Sequence, residues 1–249
     1  MSDKLYHIEL SRGEMPRYVL LPGDPGRVPY IARQLDNPRE IARHREYVSY
    51  TGMYHGIAVG VMSTGIGCPS AAIAVEELIE IGADTFIRVG TAGSLQEDVR
   101  VGDLVISQAA VREEGTSVQY VPLSYPATAD LDVTLALRRA AEDLRVRAHV
   151  GISHCKDAFY SEEPGRVPLD EFHRQRWSVW RKARVLSTSM EAAAIFTISS
   201  IHGARAGEVV AIVGDTAGNS PIVKLAGVDE AIRCALDAIV ILQRQSAQP

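Results

Sequence analysis

The chain has 249 residues, 46% hydrophobic and 23% charged, enough to bury one sizeable core. Its formal net charge of -5 offers no basic field to nucleic acid or an anionic membrane, so a bound anion has to be held by a few well-placed arginines. Met1-Ser-Asp-Lys-Leu-Tyr-His7 lacks the apolar run of a signal peptide, and no stretch reaches the ~18 apolar residues of a membrane span. Cys68, Cys155 and Cys234 are far apart, with no Cys-x-x-Cys pair, so neither a disulfide framework nor a metal site is expected. The expectation is a reduced, soluble, cytoplasmic protein.

In chain order, Tyr18-Val-Leu-Leu21 reads as a buried strand ending at Pro22-Gly-Asp-Pro-Gly26. Residues 57–63 read as a second strand, followed by the turn Thr64-Gly-Ile-Gly67. Ser70 stands where an N-cap is expected, ahead of a helix over 71–81 whose apolar face includes Ile73, Ala74, Leu78 and Ile81. Gly82 closes that helix and Thr85-Phe-Ile-Arg-Val89 is the next strand. Further strands are expected over 102–107, 148–153 and 207–213, with helices over 130–144, 188–201 and 229–244. The alternation predicts one α/β domain over 1–249, with helices packed round a largely buried sheet. Residues 161–184 break the pattern with Pro164, Gly165, Pro168, six Arg or Lys residues, Trp177 and Trp180. They read either as a surface excursion whose tryptophans pack on the body or as a flap over a ligand pocket.

Three strand ends carry residues suited to chemistry. Gly23-Asp-Pro-Gly-Arg27 follows a strand directly; its backbone N–H groups and the Arg27 guanidinium can cradle an anion, although an ordinary Asp-Pro-Gly turn has the same sequence. Arg88 lies inside an apolar strand, where an unpaired charge is expensive, and is followed by Gly90, Thr91 and Gly93. It needs an anionic partner, either a ligand or a buried carboxylate. Ser189-Met190-Glu191 opens an alanine-rich helical run; Glu191 suits two vicinal sugar hydroxyls, or the first turn of a helix. Thr64-Gly-Ile-Gly67 matches a dinucleotide fingerprint incompletely, with Ser70 in place of the third glycine, and close packing of strand on helix accounts for it without a nicotinamide cofactor.

Together, Pro22-Gly-Asp-Pro-Gly-Arg27, His44-Arg-Glu-Tyr47, Ser63-Thr-Gly-Ile-Gly67 with Pro69-Ser70, Ala83-Asp-Thr-Phe-Ile-Arg-Val-Gly-Thr91, Lys156-Asp-Ala-Phe-Tyr160, Glu163-Pro-Gly-Arg166 and Met190-Glu191 run in one order along nearly the whole chain. This ordered set resembles the nucleoside phosphorylase-I family, its uridine phosphorylase branch in particular. The resemblance implies an α/β domain with a mixed central sheet, and a pentosyltransferase of nucleoside catabolism and salvage that splits uridine with phosphate into uracil and ribose 1-phosphate. It implies that Gly23, Arg27, Arg88 and Thr91 hold phosphate, with Arg45 and His7 reaching a neighbouring subunit's phosphate and ribose. Met190 and Glu191 would hold the ribose, while Phe159, Glu162 and Arg166 would face the base. Arg88 and Glu191 would thereby carry catalysis, with phosphate as a co-substrate and no cofactor. A homo-oligomer is implied, at least a dimer and commonly a hexamer, with a monovalent cation between subunits near Glu46, Ile66 and Ser70.

Several positions depart from the family pattern. Glu162 stands near an expected glutamine, Ser189 replaces the first glutamate of Glu-Met-Glu, and Ala92 replaces a threonine. Val213-Gly214-Asp215 resembles the Val-Ser-Asp of bacterial purine nucleoside phosphorylases, so Asp215 serves either as an acid towards a purine or as a cap for the turn before Gly218-Asn219. Purine nucleosides are therefore the alternative substrates, and a non-catalytic nucleoside-binding protein the alternative class. A nucleosidase using water would have no need of Arg27, Arg45 and Arg88.

Overall fold

The computed structural model describes residues 4–163, 165–215, 222–223 and 225–246. Ten strands form one mixed sheet. They are β1 (Tyr18–Leu21), β2 (Asp36–His44), β3 (Tyr47–Tyr54), β4 (Ile57–Met62), β5 (Thr85–Ser94), β6 (Leu104–Glu113), β7 (Ala127–Thr128), β8 (Ala148–Lys156), β9 (Ser187–Ser189) and β10 (Arg205–Asp215). The helices are α1 (Arg27–Ala32), α2 (Cys68–Glu80), α3 (Leu131–Leu144), α4 (Asp170–Lys182), α5 (Ala192–Ile201) and α6 (Val228–Ser246). The strand order is β10-β6-β8-β9-β5-β1-β4-β3-β2, and β10 also pairs with β5. The first five strands therefore close into a ring, from which β1, β4, β3 and β2 extend as an open wing.

Strand alternation sends successive side chains to two different cores. Tyr18, Leu20, Ile87, Val89, Val209 and Ala211 pack under α1, α3 and α6, whereas Val19, Leu21, Phe86 and Ala206 pack under α2 and α5. A sheet buried on both faces reads as a continuous apolar run, which is why β1, β5 and β10 stand out in the sequence. The wing edge β2 does not: Asp36-Asn-Pro-Arg-Glu40 is exposed, as suits an edge strand that must not pair with another chain.

The structure corrects three local expectations. Helix α2 begins at Cys68 behind Gly67, so Ser70 is inside the helix rather than its cap, and its Oγ donates to the Glu46 carboxylate at 2.8 Å. The helical run over 188–201 divides into β9 and α5, which leaves Glu191 at the junction instead of in a first turn. Strand β5 runs past the expected end at Val89 through Gly90-Thr91-Ala92-Gly93, so these residues belong to the strand that holds Arg88 and not to a turn after it.

Within 161–184, α4 carries Asp170 and Glu171 in its first turn and Arg181 and Lys182 in its last, matching the helix dipole at both ends. Trp177 packs with Leu95 and Val185, and Trp180 rests against them. The short 3-10 turn Phe159–Glu162 before α4 borders the cleft described next. Pro164 and the Gly218-Asn219 turn lie outside the described residues.

Candidate active site

A cleft of about 710 Å³ opens at the carboxyl ends of β1, β5 and β10, where ligands of open parallel sheets bind. Gly23, Arg27, Arg88, Thr91, Phe159, Glu162, Met190, Glu191 and Asp215 all line it, brought together from segments far apart in the sequence. Gly23 lies where a Cβ would come within 3.2 Å of the Gly65 carbonyl and would push it aside, and Gly65 itself has φ +71°, so glycines let the β1 turn and the 64–67 turn approach closely. The amides of Gly26, Arg27 and Val28 are committed inside their own turn, to Asp24 Oδ1, Asp24 O and Pro25 O. What this turn gives the cleft is therefore the Arg27 side chain and the backbone at Gly23 and Asp24, a shorter row of donors than its glycines suggest.

Arg88 is buried with two carboxylates. Its Nη1 donates to Glu208 Oε1 at 2.9 Å and its Nη2 pairs closely with Glu191 Oε2, while its Nε–H has no partner among the described residues. Burial opposes the guanidinium charge, but Glu191 and then Glu208 outweigh it and raise the Arg88 pKa. Glu191 is also held by the Gly67 N–H, 2.9 Å from Oε1, so the incomplete fingerprint turn positions a carboxylate rather than a dinucleotide. Burial, followed by the positive field of Arg88, lowers the Arg27 pKa against the pull of Asp24. Two guanidinium groups close enough to repel each other favour an anion between them.

Glu208 is fully buried and went unassigned in the sequence. Its signal was present: an acidic residue in the apolar run Gly207-Glu-Val-Val-Ala211 poses the same problem of an unpaired charge as Arg88 does in β5. Its Oε1 is also 3.5 Å from Ser189 Oγ, so β10 supplies a carboxylate beside the position where the family pattern has a glutamate.

A second polar chain borders the base side. Lys156 Nζ donates to Thr188 Oγ1 at 2.8 Å and pairs closely with Glu162. His154 Nδ1 is 3.1 Å from the same hydroxyl, and its Nε2 is 2.7 Å from Glu113 Oε2. Burial lowers the His154 pKa against the raising effect of Glu113. A neutral ring protonated on Nε2 satisfies all these contacts: it donates to Glu113 and accepts the Thr188 proton, which frees Thr188 Oγ1 to accept from Lys156. Phe159 is half exposed at the mouth, its ring centroid 6.0 Å from Lys156 Nζ.

Three expected residues stand apart from this cleft. Arg166 pairs with Glu163 at 3.2 Å and covers the Tyr160 ring at 4.7 Å, so this chain's fold does not bring it to the base side. Arg45, in the β2–β3 turn at φ +53°, donates to Tyr6 Oη at 3.3 Å. His7 pairs with Glu77 at 2.5 Å. Glu46, Ile66 and Ser70 do line the cleft wall.

Residues 17–239 match the model of the phosphorylase superfamily. The chain belongs to that superfamily. As a member it is an enzyme of the phosphorylase type, and its relatives share nearly its full length. It is 52% identical to a uridine phosphorylase of Thermococcus kodakarensis, over 95% of this chain and 86% of the relative. It is 42% identical to a uridine phosphorylase of Treponema pallidum, over 99% of this chain and 97% of the relative. A guanosine phosphorylase of Halorubrum lacusprofundi is 40% identical, over 95% of this chain and 98% of the relative. No helix among the described residues is long and apolar enough to cross a membrane.

Proposed function

We propose that the protein is a cytoplasmic uridine phosphorylase, converting uridine and phosphate into uracil and ribose 1-phosphate. The observation that carries this reading is the 52% identity to a uridine phosphorylase over 95% of the chain, with every residue lining the cleft inside the superfamily match over 17–239. In this scheme Arg27, Arg88, Gly23 and Thr91 hold the phosphate, and Met190 and Glu191 hold the ribose. The close Arg88–Glu191 contact sets the two subsites side by side, so a phosphate oxygen on Arg88 faces the sugar that Glu191 grips.

Phosphate attacks the anomeric carbon as the N-glycosidic bond breaks, positive charge growing on the sugar and negative charge on the base. The anionic nucleophile stabilises the sugar, donors at the base side receive the leaving charge, and the base takes up the proton that hydrogen phosphate gives up as it becomes the sugar phosphate. No side-chain nucleophile or cofactor takes part. Arg45 and His7, pointing away from their own cleft, complete the site of an adjoining subunit in a dimer or a hexamer built from dimers. The Glu46 and Ser70 oxygens, 2.8 Å apart, suit a monovalent cation shared at that interface. Residues 161–184 serve as a flap over the base side, which the turn Phe159–Glu162 borders.

A purine reading has two observations in its favour: the 40% identical relative is a guanosine phosphorylase, and Asp215 lines the cleft. Base release from uridine, thymidine, inosine and adenosine, each with and without phosphate, separates the readings. Phosphate-dependent release from uridine is expected. Release from inosine alone supports the purine reading, and equal release without phosphate overturns the phosphorylase.

A further inference from the structure

We propose that Cys68 and Cys155 are a dithiol that hydrogen peroxide closes into a disulfide, loosening the ribose side of the cleft. The disulfide itself stands on geometry, while its effect on catalysis rests on the nucleoside phosphorylase reading. The two residues are 87 positions apart, one opening α2 and the other near the end of β8. Their Sγ atoms are 3.5 Å apart, and both residues are fully buried. They belong to the apolar core under α2 and α5, where a thiol packs as a small hydrophobe. Filling that core asks for small apolar groups; it does not ask for two sulfurs in contact.

Peroxide is close to water in size, and the cleft offers it a way in. Lys156 follows Cys155 in β8, Ser189 pairs with Cys155 in register, and Met190 accepts a hydrogen bond from Cys68; all three line the cleft. In the first step one sulfur attacks a peroxide oxygen, the O–O bond breaks, and the thiol proton leaves with the other oxygen as water. The sulfur, oxidised by two electrons as the peroxide is reduced, is then a sulfenic acid. The neighbouring thiol attacks that sulfur, the S–O bond breaks, and its proton leaves with the hydroxyl as a second water. Contact between the sulfurs favours this closure over further oxidation. The hydrogen bond with Cys155, and then burial, raise the Cys68 pKa, so the pair rests as thiols and oxidises slowly. A reversible, redox-sensing disulfide is the kind that a reducing compartment permits.

Closing the bond has two consequences for the cleft. Cys68 Sγ donates to the Met190 carbonyl at 3.2 Å, and a disulfide sulfur has no proton to donate. The sulfurs also approach by about 1.5 Å to reach bonding distance, drawing Cys68 towards β8. Gly67 is the preceding residue, and its N–H holds Glu191 Oε1 at 2.9 Å. Met190 and Glu191 are the two residues assigned to the ribose, so both lose support at once.

The test treats the full-length protein with hydrogen peroxide, removes the excess with catalase, and alkylates the remaining thiols in denaturant. Peptide mass spectrometry should find Cys234 alkylated and the Cys68 and Cys155 peptides joined. The KM for uridine should rise at least about tenfold. Exchange of the Gly67 amide hydrogen should quicken at least about tenfold. Dithiothreitol should reverse both changes, and Cys155→Ser, treated likewise, should show no reversible change. Cys68 and Cys155 recovered separately alkylated overturn the proposal, and so does a joined peptide with KM and Gly67 exchange unaltered. If the reduced protein turns over no nucleoside, yet the joined peptide forms and Gly67 exchange quickens, the switch stands and the phosphorylase reading falls.

Discussion

Arg88 and Glu208 face each other across the parallel strands β5 and β10, directly in register, with Nη1 and Oε1 2.9 Å apart. Each interrupts an apolar run, and each neutralises the other where solvent does not reach. The pair anchors the guanidinium from behind while Glu191 holds it from the cleft side. Removing Arg88 would thus strand two buried carboxylates, so loss of function in Arg88→Ala would mix binding with folding. Arg88→Lys is the more informative variant, because it keeps the charge and loses the fork.

Glu208→Ala should cost about 3 kcal/mol of stability, since it leaves Arg88 buried with only one of its two partners. Urea denaturation of the variant and the native protein measures the loss. A cost below about 0.5 kcal/mol would show that Glu191 alone suffices.

Arg27→Ala should raise the KM for phosphate at least about tenfold, because it removes a charge-assisted contact to the anion. Among the described residues Arg27 has no carboxylate pair of the kind that holds Arg88, and the turn around it is kept by Asp24 and backbone bonds. Its melting temperature should therefore stay close to the native value. Steady-state kinetics at varied phosphate, with a thermal melt alongside, check both halves.

Gly90→Ala should abolish turnover and destabilise the fold together. A Cβ at this position would lie 2.1 Å from Arg88 Nη1, and the guanidinium cannot swing away because Glu191 and Glu208 hold it. A loss of at least about 100-fold in kcat/KM is expected, with a lower melting temperature. Native-like kinetics would show that the pair tolerates displacement.

His154 makes stability fall on the acid side. Burial lowers its pKa in the folded protein below the ordinary 6.5, so below that pH the unfolded chain binds a proton that the folded chain refuses. Stability is intact above about 6.5 and declines as pH drops towards the folded value, with Glu113 and Glu162 opposing the decline and Lys156 adding to it. Thermal melts between pH 8 and about 5 should show a steeper acid loss for the native protein than for His154→Gln. Parallel curves would mean that the ring is protonated in the fold.

The membership of strands in the core was legible because β1, β5 and β10 are buried on both faces and read as unbroken apolar runs. Edge strand β2 was not, since exposure removes the apolar signal. The turn at 22–27 and its arginine were recognised, but only the fold shows that the amides of Gly26, Arg27 and Val28 are committed inside the turn. Lys156 sat within a recognised segment without a role, because its neighbours Thr188 and Glu162 come from β9 and a separate turn.

By itself the sequence determined the class of fold, the ordered segments of the phosphorylase family, and the presence of charges that apolar strands cannot leave unpaired. Burial and periodicity are local properties, written residue by residue along the chain. The tertiary structure alone decided who pairs with whom: that Arg88 meets Glu208 and Glu191, that Gly67 holds Glu191, and that Lys156 meets Glu162. Those contacts join residues up to 124 positions apart. A charge in a sequence states only that it needs a partner; strand register and the closing of the sheet supply one.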